Sequence, residues 1–299
     1  MADERIVVTG CSGFVGRNTV KMLLQQGHHV VGFSRSDPNI EGLEFVKFDI
    51  TNKSNFNTNQ YSEATIINTA ALTKNGKHGN FEATNYGSVL NLLGLNPQGK
   101  FIHISSSSIY NLGKASEHVL ENAFQVEGYR FYNPYSEYKA KAENALLNGA
   151  VERDIQPISL RPHAIYGEDD TTLIPALKEK VRAKTLFLPD GGQVKHSLTN
   201  ISNLLQAIHL GLSFIPMKPE AFNVTDANPV TIAHAVHSTL GKNVQIKGIP
   251  TKTLLGLTGK LLGVSQYEVR QLGLERTYDL TKARTLLGYD PTGFSVDWL

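Results

Sequence analysis

Arg5-Ile6-Val7-Val8-Thr9-Gly10-Cys11-Ser12-Gly13-Phe14-Val15-Gly16 decides the fold of this 299-residue chain. Ile6, Val7 and Val8 form an apolar run of the kind that a parallel strand buried on both faces requires. A helical pattern follows at once, with Val20, Met22, Leu23 and Leu24 on its apolar face. At such a junction one glycine makes the tight turn, one lets backbone approach a pyrophosphate and one packs helix against strand. The unsatisfied N–H groups and positive dipole end of the helix then face the anion. The spacing is G-x-x-G-x-x-G, one residue longer at the first interval than the G-x-G-x-x-G fingerprint. A second apolar run, His29-Val30-Val31-Gly32-Phe33, follows about twenty residues later, where the next strand of a βαβ unit belongs.

Working outward, Glu44–Phe48, Thr65–Asn68, Phe101–Ile104 and Ile155–Leu160 read as further strands, and Phe81–Leu95 and Pro134–Leu147 as the long helices between them. Such alternation predicts an α/β fold with a doubly wound parallel sheet, a Rossmann architecture whose ligands bind at the carboxyl ends of the strands. Past Arg161 the pattern loosens into loops at Gly167–Thr172 and Pro189–Val194, a helix at Ile201–Leu212 and a strand at Phe222–Val224. Residues 1–166 are therefore expected to form the dinucleotide-binding domain, with 192–226 returning to it. Residues 167–191 and 227–299 are expected to form a smaller C-terminal substrate lobe.

Lys and Arg number 29 against 27 Asp and Glu, a formal net charge of +2, which offers no field for nucleic acid or an anionic membrane. The single cysteine, Cys11, excludes an intramolecular disulfide framework and reads as a small filler at its loop position. No apolar stretch of about eighteen residues occurs, and Thr253–Val264, interrupted by Gly256, Gly259 and Lys260, reads as a core helix or lobe element. A soluble, cytoplasmic protein without a membrane partner is expected. His103, His163 and His196 lack metal-ligand spacing, so no metal is expected.

Two stretches carry chemistry. Ser105-Ser106-Ser107-Ser108-Ile109-Tyr110 follows a predicted strand, which places its hydroxyls at the sheet's carboxyl edge. In Tyr135-Ser136-Glu137-Tyr138-Lys139, the i and i+4 positions share a helix face, so Lys139 can lie beside the Tyr135 ring. Tyrosine titrates near 10, and lowering that by about three units takes about 4 kcal/mol of preference for the phenolate. A neighbouring ammonium and a cationic nicotinamide would supply it. A tyrosine so tuned exchanges a hydroxyl proton near neutral pH. Tyr138, one residue before the lysine, reads as structural.

Together these stretches resemble the extended branch of the short-chain dehydrogenase/reductase superfamily, the NAD-dependent epimerase/dehydratase group. The likeness runs through Thr9–Gly16, Asn68-Thr69-Ala70-Ala71, Asn85 ahead of Asn91-Leu92-Leu93, Ser105-Ser106 before Ile109-Tyr110, Pro134–Lys139 with Glu143, and Asp279–Ala283 followed by Leu287–Pro291. The resemblance implies that Tyr135 is the catalytic acid/base, that Lys139 holds the nicotinamide ribose and lowers the tyrosine pKa, and that Ser106 hydrogen-bonds the reacting oxygen, with Ser107 as the alternative. It implies a cofactor site of Gly10, Ser12, Gly13, Phe14, Val15, Gly16, Arg17, Ser34, Arg35, Asp49, Ile50, Ala70, Ala71, Asn85, Tyr135, Lys139 and Pro162. Ser88 and Val89 stand where the branch usually shows Gly-Thr, which loosens the carry-over of Asn85. Ser107, His163 and His196 are the substrate-side candidates. Pairing through the two long helices into a homodimer also follows from the resemblance.

Within the branch, Arg161-Pro162-His163-Ala164-Ile165-Tyr166-Gly167 and Asp169-Asp170-Thr171-Thr172-Leu173-Ile174-Pro175 look most like the 3β-hydroxysteroid dehydrogenase group, which includes bacterial β-keto-acid reductases. Nucleotide-sugar members usually carry an asparagine where this chain has Ala164, and an arginine near His196 that grips the diphosphate. The expected activity is interconversion of a secondary alcohol and a ketone on a small, fairly apolar substrate. A nucleotide-sugar epimerase, dehydratase or reductase is the alternative, and a cofactor-sensing regulator a third. For the cofactor, a carboxylate at the end of the second strand would bind the adenosine ribose hydroxyls. The chain instead reads Gly32-Phe33-Ser34-Arg35, and the Arg35 fork, with Arg17 in the first helical turn, suits a 2′-phosphate. NADP(H) is therefore expected over NAD(H).

Overall fold

The computed structural model describes residues 5–52, 61, 63–73, 81–94, 100–110, 113–124, 131–152, 155, 157–256 and 265–298. The apolar runs of the sequence become β1 (Ile6–Thr9), β2 (Val30–Ser34), β3 (Glu44–Lys47), β4 (Thr65–Asn68), β5 (Phe101–Ile104), β6 (Ile158–Pro162) and β7 (Glu220–Val224). They form one seven-stranded parallel sheet in the order β7-β6-β5-β4-β1-β2-β3. The order reverses between β1 and β4, which opens the crevice where such sheets bind ligands. Ile155–Leu160 was the expected sixth strand. Pairing with β5 and β7 begins instead at Ile158 and carries Arg161 and Pro162 into the sheet.

Helix α1 (Phe14–Gln25) buries Gly16, Thr19, Val20 and Leu23. The second long helix opens with a wide turn over Glu82–Gly87 before α2 (Ser88–Gly94). Its last expected residue, Leu95, lies outside the described residues. Helix α3 (Pro134–Glu152) runs five residues past Leu147, and Pro134 occupies its first position, where a missing N–H costs nothing. α4 (Leu173–Lys180), α5 (Ile201–Ser213), α6 (Ile232–Leu240), α7 (Thr251–Leu255) and α8 (Gln266–Gly273) follow. Of the Thr253–Val264 element, 257–264 lie outside the described residues. Among those described, no helix is long and apolar enough to cross a membrane.

One core cluster joins Ile6, Val8, Val20, Leu23, Ile102, Leu160 and α5 residues Leu204 and Ile208. The opposite face packs Ile66, Phe101, Val89 and Leu92 against Ala142 and Leu146 of α3. Alternation along each strand supplies both layers, since successive side chains point to opposite faces. A four-stranded sheet lies apart, ordered Val230–Thr231, Lys195–His196, Arg276–Tyr278 and Ser116–Val119. It binds the segment after β5 to the C-terminal part of the chain.

The glycine turn shows its division of labour. Gly10 sits at φ +70°, and a Cβ there would fall 2.7 Å from the Ala70 Cα. A Cβ on Gly16 would fall 2.1 Å from the Gly10 carbonyl oxygen, backbone against backbone. Gly13 meets nothing nearer than that oxygen at 3.4 Å. Gly16→Ala is therefore expected to force α1 off the turn and cost about 1–3 kcal/mol, as overpacking does. Gly13→Ala meets no clash and should cost less, about 0.5–1 kcal/mol for the poorer N-cap. Urea unfolding of the two variants checks the contrast.

Candidate functional site

Gly13 caps α1 without a side-chain hydrogen bond, no acidic residue stands in the first turn, and Ser12 and Gly13 are exposed. The helix N-terminus, the open face of Gly13 and the close approach at Gly10 are the features a dinucleotide pyrophosphate requires, so the residues fit the cofactor. Cys11 is fully buried beneath them, its Sγ 2.9 Å from where a Cβ on Gly32 would stand. Burial pushes its thiol pKa up, in keeping with a filler.

At the end of β2, Ser34 is buried and its hydroxyl turns back onto the Ser36 carbonyl. Arg35 is exposed. The Asp49 carboxyl is held below its usual range by hydrogen bonds from Thr51, with a smaller contribution from the Arg35 charge. Asp37 and Arg17 both act on Cys11 through their charge, the one raising and the other lowering its pKa. Ile50 is buried, and its carbonyl accepts from Asn91 Nδ2 at 2.9 Å. Asn85 Oδ1 accepts from the Leu72 N–H at 2.7 Å while its Nδ2 donates to the Leu72 carbonyl at 3.0 Å. This clamp fixes the loop that carries Ala70 and Ala71 past the glycine turn.

Across the sheet runs a polar row that the sequence did not announce. Thr9, Asn68, His103 and Ser159 lie in register on β1, β4, β5 and β6. Thr9 Oγ1 donates to Asn68 Oδ1 at 2.7 Å, and Asn68 Nδ2 meets His103 Nδ1 at 3.1 Å. An amide nitrogen only donates, so His103 Nδ1 is the bare acceptor and the ring is neutral. Burial, and then the Lys139 charge, hold its pKa well below the ordinary value.

α3 lies over that row with Ser136, Lys139, Ala140 and Glu143 buried. Lys139 Nζ donates to the Ile104 carbonyl at 2.7 Å. Burial lowers its pKa to about 8, against the opposing pull of Glu143. Glu143 accepts from Ser159 Oγ at 2.6 Å and is paired with Arg161, both side chains being almost fully enclosed. Arg161 Nη1 also reaches the Tyr110 hydroxyl and the Glu121 carbonyl, and Tyr110 donates to Asn223. One buried ionic network thus ties α3, β6, β7 and the turn after β5 together.

Tyr135 lies within reach of Ser106, which bears on its phenol. Its pKa is not depressed. Burial pushes it up to about 12, with Tyr267 adding to the rise and Ser106 opposing it. Lys139 is not among the groups acting on the phenol; its ammonium is held at the Ile104 carbonyl. One aromatic ring stands against the phenol, Phe81, edge-on at 6.4 Å between centroids, and Tyr267 of α8 acts on it through its charge. Tyr267 had no sequence signal, since it comes from a segment far along the chain. Ser106 caps the turn Ser107–Ile109, accepting from the Ser108 N–H at 3.1 Å and donating to Ser108 Oγ at 2.9 Å.

The substrate-side candidates come together but are enclosed. Ser107, His163 and His196 are all buried, with Ser107 Oγ 2.8 Å from His163 Nδ1. His196 pairs in register with Arg276, so an arginine lies beside that histidine in space though not in sequence. Arg276 is fully buried and donates to the Lys114, Arg270 and Glu275 carbonyls and to Ser116 Oγ. Pro162 ends β6 at the same edge.

Residues 6–225 match the model of the NAD dependent epimerase/dehydratase family. The chain is 28% identical to a 3-beta-hydroxysteroid dehydrogenase of Mycolicibacterium neoaurum, over 96% of this chain and 87% of that protein. It is 26% identical to a 2-alkyl-3-oxoalkanoate reductase of Stenotrophomonas maltophilia, over 96% and 94% of the two chains. Its fold is similar to that of MoeE5 in complex with UDP-glucuronic acid and NAD, with a TM-score of 0.76, 20% identity, and 97% and 94% coverage. The chain belongs to the NAD dependent epimerase/dehydratase family, whose members are nicotinamide-dependent enzymes.

Proposed function

We propose that this member of the family interconverts a secondary alcohol and a ketone on a small, fairly apolar substrate, with NADP(H) preferred over NAD(H). The observation that carries the reading is the Tyr135 ring, set edge-on to Phe81, with Ser106 and Tyr267 both acting on its phenol. Aromatic faces suit a hydrocarbon substrate better than a hydrated diphosphate. Arg276, the buried arginine beside His196, is committed to backbone carbonyls of its own surroundings. The hydroxysteroid and oxoalkanoate specificities of the two relatives point the same way.

When bound, the nicotinamide supplies or accepts the hydride. Ser106 orients the substrate oxygen and Tyr135 gives that oxygen its proton in reduction, or takes it in oxidation. Lys139, lowered to about 8, is poised to hold the ribose and to favour the phenolate once turned from the Ile104 carbonyl. Phe81 covers one edge of the phenol ring. A panel of a 3β-hydroxysteroid, a 2-alkyl-3-oxoalkanoate and UDP-glucose, read at the nicotinamide absorbance, tests the reading. Turnover of UDP-glucose alone would overturn it. Pairing through α2 and α3 is the assembly we propose, with Leu90 left 42% exposed on α2.

Cofactor choice rests on Arg35. A charge-assisted hydrogen bond contributes about 1.5–3 kcal/mol. Arg35→Ala should therefore weaken NADPH about ten- to a hundredfold and leave NADH little changed. Calorimetric titration with both nucleotides measures this, and equal wild-type affinities would refute the preference.

A further inference from the structure

Beside the serine loop lies a chain of four side chains that hydride and proton transfer leave unused. Ser107 Oγ lies 2.8 Å from His163 Nδ1, His163 Nε2 lies 3.5 Å from His196 Nδ1, and the Tyr278 side chain packs on His163. The two imidazoles stack at 5.7 Å and 20°, and the Tyr278 ring tilts over His163 at 5.4 Å. All four are buried.

Each link needs one proton, so the chain runs in one direction as a unit, which requires neutral imidazoles that donate at one nitrogen and accept at the other. The surroundings provide this. The groups facing His163 are Ser107, His196, Tyr278 and Arg276; burial first, and then the Arg276 charge, bring the His163 pKa down to about 3, and the His196 pKa is likewise well below its usual value. Burial pushes Tyr278 up to about 12. None of these three changes charge in the neutral range.

The backbone of His163 is itself pinned, its N–H donating to Thr199 Oγ1 at 2.9 Å, which donates in turn to the Val224 carbonyl at 2.8 Å. The anchor therefore stands on β6 and β7 and reaches across to the residue that adjoins Ser106. At its far end the same turn is held by Tyr110 on Asn223 and Arg161.

We propose that His163 is a positioning residue: bonded to Ser107 and backed by His196 and Tyr278, it fixes the tight turn that aims Ser106 at Tyr135. The proposal rests on the reading of Ser106 and Tyr135 given above. It assigns His163, Ser107 and His196 to the wall behind the reacting centre rather than to contact with substrate. Displacement of a reacting group by about 1 Å costs about a hundredfold in rate.

The test uses the full-length protein, the substrate that the panel identifies, and the variants Ser106→Ala, His163→Leu, His163→Asn and Tyr278→Phe. His163→Leu is expected to lower kcat about 10- to 100-fold with nucleotide Kd unchanged. His163→Asn, whose amide stands near the place of Nδ1, should restore most of it. Tyr278→Phe keeps the ring and should lower kcat in the same direction by less. Combined with Ser106→Ala, His163→Leu should add little, since both act through one hydroxyl. A readout that needs no substrate is the tyrosine 13Cζ resonance assigned through Tyr135→Phe: His163→Leu should shift it as Ser106→Ala does. A slow Ser106→Ala with a fully active His163→Leu, or an unshifted Tyr135 resonance in both His163→Leu and Tyr278→Phe, overturns the proposal alone. Full activity of Ser106→Ala overturns the catalytic reading beneath it.

Discussion

Tyr135→Phe is expected to lower kcat by about 10²- to 10⁴-fold, the range a positioned general acid or base supplies. Nucleotide affinity should stay nearly unchanged. The substitution removes one hydroxyl and keeps the ring that packs on Phe81. With its pKa held up at about 12, the phenol is uncharged at neutral pH, so the substitution removes no charge, and Ser106 retains Ser108. The variant should therefore melt no lower than wild type, which separates loss of chemistry from loss of fold. Single-turnover absorbance of bound nicotinamide with the panel's substrate measures the chemical step. A rate above a few per cent of wild type would remove Tyr135 from the acid/base role.

That result bears on the direction of the Tyr135 shift. Sequence spacing places Lys139 one turn from Tyr135, where its ammonium together with a cationic nicotinamide would depress the phenol pKa. The helix does put them on one face, yet burial dominates and the ammonium prefers the Ile104 carbonyl. A spacing rule gives the face of a helix. It does not say which of two acceptors a flexible lysine chooses, because the competing carbonyl comes from β5, in a different part of the sequence.

The same limit explains what else was legible. The glycines and the strand pattern are local, and the central sheet follows them with β6 displaced toward Arg161 and Pro162. The resemblance puts Asn85 in the cofactor site; its side chain also holds the Leu72 backbone, and only the folded loop reveals that. Tyr267, Arg276 and Tyr278 reach the site from the last quarter of the chain, and no period or motif announces them. Glu143 did leave a signal: it stands four residues after Lys139, on the same helix face, while Ser159 and Arg161 alternate on β6 toward that face.

Glu143→Ala is expected to destabilise the protein by about 3–5 kcal/mol, the cost of leaving a buried guanidinium without its carboxylate. Against a total stability of about 5–15 kcal/mol this is a large fraction. Glu143 is fully buried, and the Arg161 it holds is 2% exposed. Arg161 would keep the Tyr110 hydroxyl and the Glu121 carbonyl, neither of which carries a charge. The linkage has a definite sign. Burial pushes the Glu143 carboxyl up, but Arg161 and the Ser159 hydroxyl outweigh it and hold the folded pKa below the usual 4.5. A depressed carboxyl contributes stability that is present above its unfolded pKa and lost as pH falls through the folded value. Wild type should therefore lose this contribution on acidification below about 4.5, whereas Glu143→Ala, lacking the group, shows a shallower acid limb. Lys139 would move as well, since Glu143 opposes the burial that has already brought it to about 8. Its pKa should fall further in the variant, which removes the ammonium from the neutral range and slows turnover beyond the loss of fold. Urea unfolding of both proteins from pH 3 to pH 9 reads the first effect, and the pH dependence of kcat reads the second. Equal unfolding midpoints at pH 7 would mean that the buried pair contributes nothing net.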